Sequence, residues 1–271
     1  MALDRSAADL TGRVAVVTGA AQGIGRAIAE TYAAFGADVA ICDRVEEGMK
    51  GAADAIAGHG RRATTRVLDV RDADGVDAWA QQVAADFGRV DVLVNNAGGG
   101  FVSPFLDIRP KGITALVDEN FSSVVHCVRA FVPSMGEGGS IINVTSIEAF
   151  RAAPGYSIYS AMKAAVEQLT RTLALELADR RIRVNTLAPD AIPTEGVTGI
   201  ASVTVESGEH TPDGIQMPTP LGGGEADDCA GAAVFLASVL SGFVTGSTVH
   251  VNGGTLAASG WRRGTEGRWV L

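Results

Sequence analysis

The sequence lacks long apolar runs and is poor in basic residues, and each shortage excludes a class of protein. No run of about 18 apolar residues occurs, so we expect no membrane-spanning helix. The first residues, "MALDRSAADLTGR", lack the hydrophobic centre of a signal peptide. Lys and Arg number 22 against 31 Asp and Glu, which gives a net charge of −9. Nucleic acids and anionic membranes need basic patches, so neither is an expected partner.

Cysteine is also scarce. The three cysteines, Cys42, Cys127 and Cys229, are an odd number, far apart and without the spacing of a metal site. Cys42 and Cys127 lie in apolar runs, where buried thiols are common. His126 lies on an apolar helical stretch and is interpreted as a packing residue. We therefore expect a reduced, cytoplasmic chain with no bound metal.

The apolar fraction is 46% of 271 residues, enough for a sizeable core. Apolar runs typical of strands alternate with stretches of helical periodicity. This alternation predicts right-handed βαβ units and an α/β fold with a parallel sheet covered on both faces. With no linker visible, residues 1–271 are expected to form one domain. The predicted strands are 13–19, 37–43, 62–70, 90–96, 139–146, 181–189 and 247–254, and the main helices are 23–36, 45–57, one around 76–87, 112–136, 155–179 and 225–238.

Two segments depart from this alternation. Residues 190–224 are rich in Gly, Pro, Thr and Ser and have no clear period, which favours either disorder or a substrate lid. Their apolar residues indicate an apolar ligand or simply anchor the lid; they are Ile200, Val203, Val205, Ile215 and Met217. The tail, about 255–271, carries two of the three Trp, so we expect it to pack against another surface.

A glycine-rich turn follows the first predicted strand. Gly19, Gly23 and Gly25 stand where that strand turns into a helix, and such glycines let the backbone approach a pyrophosphate. The same pattern also suits a plain tight turn. Asp43 ends the second strand, where a carboxylate can accept hydrogen bonds from the adenosine ribose of NAD. Asp43 could instead cap the following segment, and Arg44 could bind the 2′-phosphate of NADP. NAD is favoured over NADP, because the negative charge of Asp43 would repel the 2′-phosphate of NADP.

Tyr159 and Lys163 lie four residues apart in "YSIYSAMKAA", which places them on one face of a helix. A free phenol has a pKa of about 10, and bringing it to about 7 takes roughly 4 kcal/mol. An ammonium about 4 Å away supplies roughly that energy at an effective dielectric near 20. The pair therefore predicts a general acid/base, although two exposed helix residues would show the same spacing.

Several motifs together identify a family. The chain resembles the short-chain dehydrogenases/reductases, in their compact single-domain branch, over roughly residues 10 to 254. This resemblance implies a Rossmann-type doubly wound parallel sheet of about seven strands in the order 3-2-1-4-5-6-7. It also implies a homotetramer, or a dimer, in which the helices within 112–136 and 155–179 form the main interface. The motifs are TGxxxGxG at 18–25, "LDV" at 68–70, "NNAG" at 95–98, Asn120, Ser146 and Tyr159-x-x-x-Lys163.

The resemblance implies four catalytic residues. Tyr159 donates a proton to a carbonyl or takes one from an alcohol. Lys163 lowers the pKa of Tyr159 and holds the nicotinamide ribose, and Ser146 hydrogen-bonds the substrate oxygen. Asn120 kinks its helix and holds a water that relays protons to Lys163.

The resemblance also implies a set of cofactor-binding residues, with Asp69 beside the adenine and Asn95 steadying the central strand. Asp190 departs from the family pattern, which has Gly after Pro189, and either weakens cofactor binding or binds a polar substrate group. Asn252 stands where Asp is more frequent. The expected set is Gly19, Gln22, Gly23, Ile24, Gly25, Asp43, Arg44, Asp69, Val70, Asn96, Ala97, Gly98, Tyr159, Lys163, Pro189, Ile192 and Thr194.

These features predict an NAD-dependent oxidoreductase that interconverts a secondary alcohol and a ketone. The expected substrate is a hydrophobic or cyclic alcohol or ketone, such as a steroid, terpenoid or acyl compound. One alternative is an NAD(H)-binding redox sensor without turnover, which would not need an activated phenol. A sugar or polyol dehydrogenase is another. A sugar-nucleotide epimerase or dehydratase of the longer-chain branch would carry a larger C-terminal domain.

Overall fold

The computed structural model describes residues 3–190, 192–194, 219–263 and 269–270. Within these residues the main sheet has seven parallel strands in the order β3-β2-β1-β4-β5-β6-β7. Both the fold class and the strand order expected from the sequence are confirmed. The strands are β1 Val14–Thr18, β2 Asp38–Asp43, β3 Ala63–Val67, β4 Val90–Asn95, β5 Met135–Val144, β6 Arg183–Pro189 and β7 Thr248–Val251.

Helices cover both faces of this sheet. One buried apolar cluster joins the sheet to α1, α2 and α7, and a second joins the opposite face to α3, α5 and α6. The central strands β1 and β4 are buried throughout, whereas the edge strand β3 is partly exposed and carries polar residues. The helices are α1 Gly23–Ala34, α2 Glu46–Gly58, α3 Ala73–Phe87, α4 Pro110–Val117, α5 Ser123–Phe131, α6 Ser157–Glu176, α7 Ala226–Ala237 and α8 Thr255–Ala258.

The helix expected over 112–136 is not continuous. A π-helical turn, Asp118–Ser122, separates α4 from α5, and it contains Asn120. The helix is therefore interrupted at Asn120, and the expected kink stays a prediction. The helical stretch ends at Ser134, and β5 begins at Met135 rather than at 139. Pro133 lies in that last short turn, and a proline removes a backbone donor that a continuing helix needs.

The strand order reverses between β1 and β4, because the chain moves outward to β2 and β3 on one side and to β5, β6 and β7 on the other. In open α/β sheets, ligands bind at the carboxyl ends of the strands at such a point. The loops that follow β1, β4, β5 and β6 all meet there. Among the described residues, no helix combines the length and apolar character that crossing a bilayer requires.

The two irregular segments are described only in part. Most of the expected lid, 195–218, lies outside the described residues, and so do tail residues 264–268 and 271. Where the description resumes, Leu221 donates a backbone hydrogen bond to Gly253 O at 3.0 Å, just after β7. In the tail, β8 Arg262–Arg263 pairs antiparallel with β9 Trp269–Val270. The expectations of a lid and of a docked tail stay predictions.

Candidate active site

A cavity of about 490 Å³ lies at the carboxyl ends of the strands. It brings together residues that the sequence places up to 175 positions apart, from Gly19 to Thr194. Of the expected site residues, Gly25 and Asn120 lie just behind its wall. The others line it: Gly19, Gln22, Gly23, Ile24, Asp43, Arg44, Asp69, Val70, Asn96, Ala97, Gly98, Ser146, Tyr159, Lys163, Pro189, Ile192 and Thr194.

The glycine turn after β1 is packed too closely for side chains. A Cβ added to Gly25 would lie 2.2 Å from Gly19 O and 2.4 Å from Asn96 Nδ2. Gly19 itself has φ of 66°, a backbone conformation that favours glycine. Asn96 Nδ2 donates to Thr18 O and Gly19 O, both at 3.0 Å, and so fixes the turn to the end of β4. The turn is thus a rigid cradle made mostly of backbone.

This cradle fits a dinucleotide pyrophosphate. Helix α1 begins at Gly23 and no side chain caps its N-terminus, so its first N–H groups are available to an anion. Thr194 lies over the turn, because a Cβ on Gly23 would be 3.0 Å from Thr194 Cβ. Its hydroxyl-bearing side chain therefore lies close to the turn, where it could contact a bound phosphate group.

The position of Asp43 fits both roles that the sequence left open, a cap for the following segment and a hydrogen-bond acceptor for the ribose of NAD. Its Oδ2 accepts a hydrogen bond from Ala21 N at 3.0 Å, and its Oδ1 accepts one from Val45 N at 3.1 Å. The side chain therefore caps the local backbone, yet it also lines the cavity, and each oxygen keeps a further acceptor site. The neighbouring Arg44 reaches across the cavity, with Nη2 3.4 Å from Glu119 Oε1. This pair is weakened by solvent, because the Arg44 side chain is 57% exposed.

Asp69 lines the expected adenine end of the cavity. Arg71 donates to it through Nε, at 2.9 Å to Oδ1 and 3.0 Å to Oδ2. These hydrogen bonds hold the pKa of Asp69 below its usual range. In the centre of the sheet, Asn95 Nδ2 donates to Asn143 Oδ1 at 2.8 Å and joins β4 to β5, in line with the role expected for Asn95.

The catalytic end of the cavity gathers Ser146, Tyr159 and Lys163. Ser146 follows β5, and the other two lie on α6. Lys163 is 5% exposed, and its Nζ donates to Val144 O at 3.1 Å and lies 5.5 Å from the centroid of the Tyr159 ring. Ser146 and Tyr159 line the same cavity. Three of the four side chains that the resemblance marks as catalytic therefore share one cavity.

Asn120 lies directly behind this group. Its Nδ2 donates to Gly99 O at 2.8 Å and to Leu116 O at 3.0 Å, and its Oδ1 accepts from Gly99 N at 3.3 Å. A Cβ on Gly98 would lie 3.0 Å from Asn120 Oδ1 and 3.1 Å from Lys163 Nζ, so both groups flank that glycine. Asn120 thus fixes the backbone after β4, and the expected proton-relaying water stays a prediction.

The electrostatics of the protein chain alone differ from the expectation for Tyr159. Burial raises the pKa of Tyr159; the hydrogen bond with Ser146 opposes this rise, and the charge of Glu148 adds to it. Burial also lowers the pKa of Lys163 to about 8, against a smaller opposing effect of Glu119. The expected lowering by Lys163 is absent because the ammonium is itself disfavoured by burial. A lowered phenol pKa in this site therefore needs a further positive charge.

The sequence interpretation missed several residues that line the cavity. Glu148 and Gly99 each follow the end of a parallel strand within a few positions, and Glu119 precedes Asn120. A search of every position just after a strand, where ligands bind in such sheets, would have found Glu148 and Gly99. Tyr156 precedes α6 and has no comparable signal. The missed residues are Cys42, Leu68, Gly99, Gly100, Glu119, Val144, Thr145, Glu148 and Tyr156.

Asp190 also lines the cavity, close to an ion pair. Arg151 donates to Glu148 at 2.7 Å through Nη2 and at 3.3 Å through Nε, and its Nη2 lies 3.8 Å from Asp190 Oδ1. Nearby, the side chain of Ile192 is buried in the core that α1 and α7 share. Asp190 therefore belongs to a charged cluster with Glu148 and Arg151.

A buried carboxylate anchors the catalytic helix. Glu167 accepts hydrogen bonds from three threonine hydroxyls: Thr145 at 2.7 Å, Thr186 at 3.0 Å and Thr248 at 2.8 Å. These threonines belong to the region of β5, β6 and β7. Because Glu167 is on the α6 face that carries Tyr159 and Lys163, this network fixes both relative to the sheet.

The three cysteines are buried, and burial raises the pKa of each thiol. None forms a disulfide. The interpretation of Cys42 and Cys127 as packing residues is thus supported by their position. His126 is partly buried, with Nδ1 3.4 Å from Val70 O.

Known proteins resemble this chain over most of its length. A family model described as Enoyl-(Acyl carrier protein) reductase matches residues 19–255. A 2,3-dihydroxy-2,3-dihydro-p-cumate dehydrogenase of Pseudomonas putida is 35% identical over 256 residues, 93% of this chain and 98% of the relative. A 3-oxoacyl-[acyl-carrier-protein] reductase of Haemophilus influenzae is 37% identical over 249 residues, 90% of this chain and 98% of the relative.

Solved structures also match this chain over most of its length. Carveol dehydrogenase from Mycobacterium avium, in complex with NAD, has a TM-score of 0.85 and 31% identity, and the match covers 92% of this chain and 99% of that one. A short chain dehydrogenase from Burkholderia cenocepacia, in complex with NADP, has a TM-score of 0.81 and 34% identity, with coverage of 91% and 98%. The chain belongs to the short-chain dehydrogenase/reductase family.

Proposed function

We propose that this protein is an NAD-dependent oxidoreductase that interconverts a secondary alcohol and a ketone, with Tyr159 as the general acid/base. The observation that carries the proposal is that one cavity holds both a glycine cradle for a pyrophosphate and the Ser146–Tyr159–Lys163 group. A redox sensor without turnover would need the cradle but not the buried phenol and ammonium.

Each side chain then has a distinct task. Ser146 donates a hydrogen bond to the substrate oxygen, and Tyr159 takes the proton of the alcohol or returns it to the ketone. Lys163 and Asn120 hold the positions of Tyr159 and of the backbone after β4. The nicotinamide, when bound, supplies or accepts the hydride, and its oxidised ring adds positive charge beside the phenol. Such a charge would oppose the rise in the Tyr159 pKa that burial causes.

The NAD preference rests on Asp43. Its carboxylate lines the cavity at the end of β2, where it would accept hydrogen bonds from ribose hydroxyls and repel a 2′-phosphate. Arg44 is the side chain that would attract that phosphate, but its guanidinium lies against Glu119. Related structures contain either NAD or NADP, so the choice depends on such local residues.

The proposed substrate is a cyclic or hydrophobic secondary alcohol or its ketone, and the proposed assembly is a homotetramer. The related carveol and dihydrodiol dehydrogenases are named for ring alcohols, which supports a cyclic substrate. Most of the apolar residues of the expected lid fall within 195–218, outside the described residues. The homotetramer rests on the family resemblance alone.

A panel of cyclic and open-chain alcohols and ketones tests the proposal. Each compound is followed at the nicotinamide absorbance band, once with NAD and once with NADP. We expect oxidation of at least one cyclic secondary alcohol, with the higher kcat/KM for NAD. Tight NADH binding without turnover of any compound would instead favour the redox sensor, and a higher kcat/KM with NADP would overturn the cofactor assignment.

A further inference from the structure

Three charged side chains form a cluster at the catalytic end of the cavity, and the mechanism above does not use them. Glu148 and Asp190 line the cavity, and Arg151 lies behind them, within ion-pair distance of both. The cluster has two carboxylates and one guanidinium, a formal net charge of −1. The groups that it offers to a ligand are therefore carboxylate oxygens rather than the guanidinium.

Glu148 is close to the reacting atoms. It stands two residues after Ser146, and its N–H donates to Ser146 Oγ at 3.2 Å. Glu148, Tyr156 and Tyr159 line the same cavity, and the negative charge of Glu148 raises the pKa of both tyrosines. A substrate oxygen held by Ser146 and Tyr159 therefore has an anionic acceptor beside it.

The chemistry of Glu148 selects hydrogen-bond donors. Both of its oxygens accept from Arg151, but an ionised carboxylate has about four acceptor sites, so sites remain for a ligand. Its hydrogen bonds and ion pair with Arg151 also raise the pKa of Arg151. A hydroxyl is the neutral donor that fits beside a secondary alcohol, whereas a carboxylate on the substrate would meet a net negative wall.

We propose that Glu148, supported by Arg151 and Asp190, is a binding site for a second substrate hydroxyl on the carbon next to the reacting one. The substrate class is then a cyclic vicinal diol, or the α-hydroxy ketone that its oxidation yields. This inference rests on the proposed function, since it assumes that the reacting oxygen lies between Ser146 and Tyr159.

Matched ring compounds test the site. The probes are cyclohexanol, cyclohexane-1,2-diol, 2-aminocyclohexanol and 2-hydroxycyclohexanecarboxylate. For each, kcat/KM is measured at the nicotinamide band, and binding to the enzyme–NADH complex is measured by calorimetry. We expect the diol to exceed cyclohexanol by roughly tenfold or more, the effect of one hydrogen bond to a charged group. Equal values for the two, no measurable binding of the diol, or better binding of the amine or the acid would overturn the proposal.

Variants link the preference to the carboxylate. Glu148→Gln keeps an acceptor but removes the charge, and charged hydrogen bonds are roughly twice as strong as neutral ones. The ratio of diol to cyclohexanol should therefore fall to about threefold or less. Glu137→Gln removes the same charge from an exposed residue near the opposite end of β5 and should keep the wild-type ratio. If Glu148→Gln does not fold, Asp190→Asn removes the other lining carboxylate and should lower the ratio as well. A ratio unchanged in the variant that folds would overturn the site.

The two measurements, kcat/KM and calorimetric binding, distinguish a failure of this proposal from a failure of the proposed function. If the diol is bound preferentially and Glu148→Gln removes that preference, while no probe is turned over, the hydroxyl site stands and the oxidoreductase activity fails. If cyclohexanol and the diol are turned over equally well, the oxidoreductase stands and the hydroxyl site fails.

Discussion

The two walls of the cavity are made of different parts of the chain. The nucleotide wall, around Gly19–Gly25 and Asn96–Gly98, is mostly backbone and is held by short contacts that exclude side chains. The catalytic wall carries ionisable side chains, of which Lys163 is buried and Tyr159 is partly buried. The first wall recognises shape and phosphate charge, whereas the second depends on shifted proton affinities. Substitutions on the two walls should therefore fail in different ways.

The largest effect is expected on the catalytic wall. Tyr159→Phe removes the proton-transferring hydroxyl, and turnover should fall by roughly 10² to 10⁴-fold while the Kd for NADH stays near the wild-type value. Tyr156→Phe removes the same atom from a second tyrosine of the cavity, whose ring centroid is 6.0 Å away, and should cost much less. Steady-state rates and NADH titration of both variants make the comparison. Retained turnover in Tyr159→Phe would exclude this residue as the acid/base.

The buried ammonium should also lower stability. The folded-state pKa of Lys163, about 8, lies below its ordinary value of 10.5, so the unfolded chain binds the proton more strongly. The charge therefore opposes folding by about 3 kcal/mol below pH 8, and this cost fades as the pH rises from 8 to 10.5. In the chain without cofactor, Lys163→Met should be more stable than the wild type at pH 7, by up to about 3 kcal/mol. The gain should shrink by pH 10.

Urea unfolding at both pH values measures this difference. Lys111→Met serves as the control, because Lys111 is exposed at the start of α4 and its charge stays in water. It should show little difference at either pH. A Lys163→Met variant that is less stable at pH 7 would mean that the hydrogen bond to Val144 O outweighs the cost of burying the charge.

The nucleotide wall should fail through its shape instead. Gly25→Ala places a Cβ 2.2 Å from Gly19 O, so the turn must move. Overpacking of this kind costs about 1–3 kcal/mol, which corresponds to roughly tenfold to hundredfold weaker NADH binding. Gly231→Ala is the matched control, since this exposed glycine of α7 has no atom within 4 Å of the added Cβ. It should bind NADH normally and gain up to about 1 kcal/mol in stability. Normal NADH binding by Gly25→Ala would contradict the cradle.

The same contrast explains what the sequence could predict. The glycine-rich turn is a local pattern, and the parallel α/β sheet follows from alternating strands and helices, whereas the strand order came from the family resemblance. The fold class and the strand order are both confirmed. Tyr159 and Lys163 share a helix, so their proximity was predictable too. The direction of the Tyr159 pKa shift was not predictable, because it depends on burial by elements that are far apart in the sequence. Glu148 was missed because no motif marks it, although its position shortly after β5 was a usable signal.

The interruption inside a predicted helix shows a further limit of prediction from the sequence. The helical period over 112–136 hid the π-helical turn at Asp118–Ser122, because a single extra residue per turn barely alters an apolar pattern. Asn120 marked that turn only through the family resemblance. Its hydrogen bonds to Gly99 supply the physical reason, and they join segments 21 positions apart.

The smallest predicted effect returns to the nucleotide wall, at the one position where it uses charge. Asp43→Asn keeps an oxygen that can accept from Ala21 N but removes the carboxylate that would repel a 2′-phosphate. The ratio of kcat/KM for NAD to that for NADP should fall by several-fold, up to about tenfold. Asp54→Asn makes the same charge change on an exposed face of α2 and should leave the ratio alone. An unchanged ratio in Asp43→Asn would mean that the nucleotide wall selects its cofactor by shape alone, in contrast to the catalytic wall, which depends on charge.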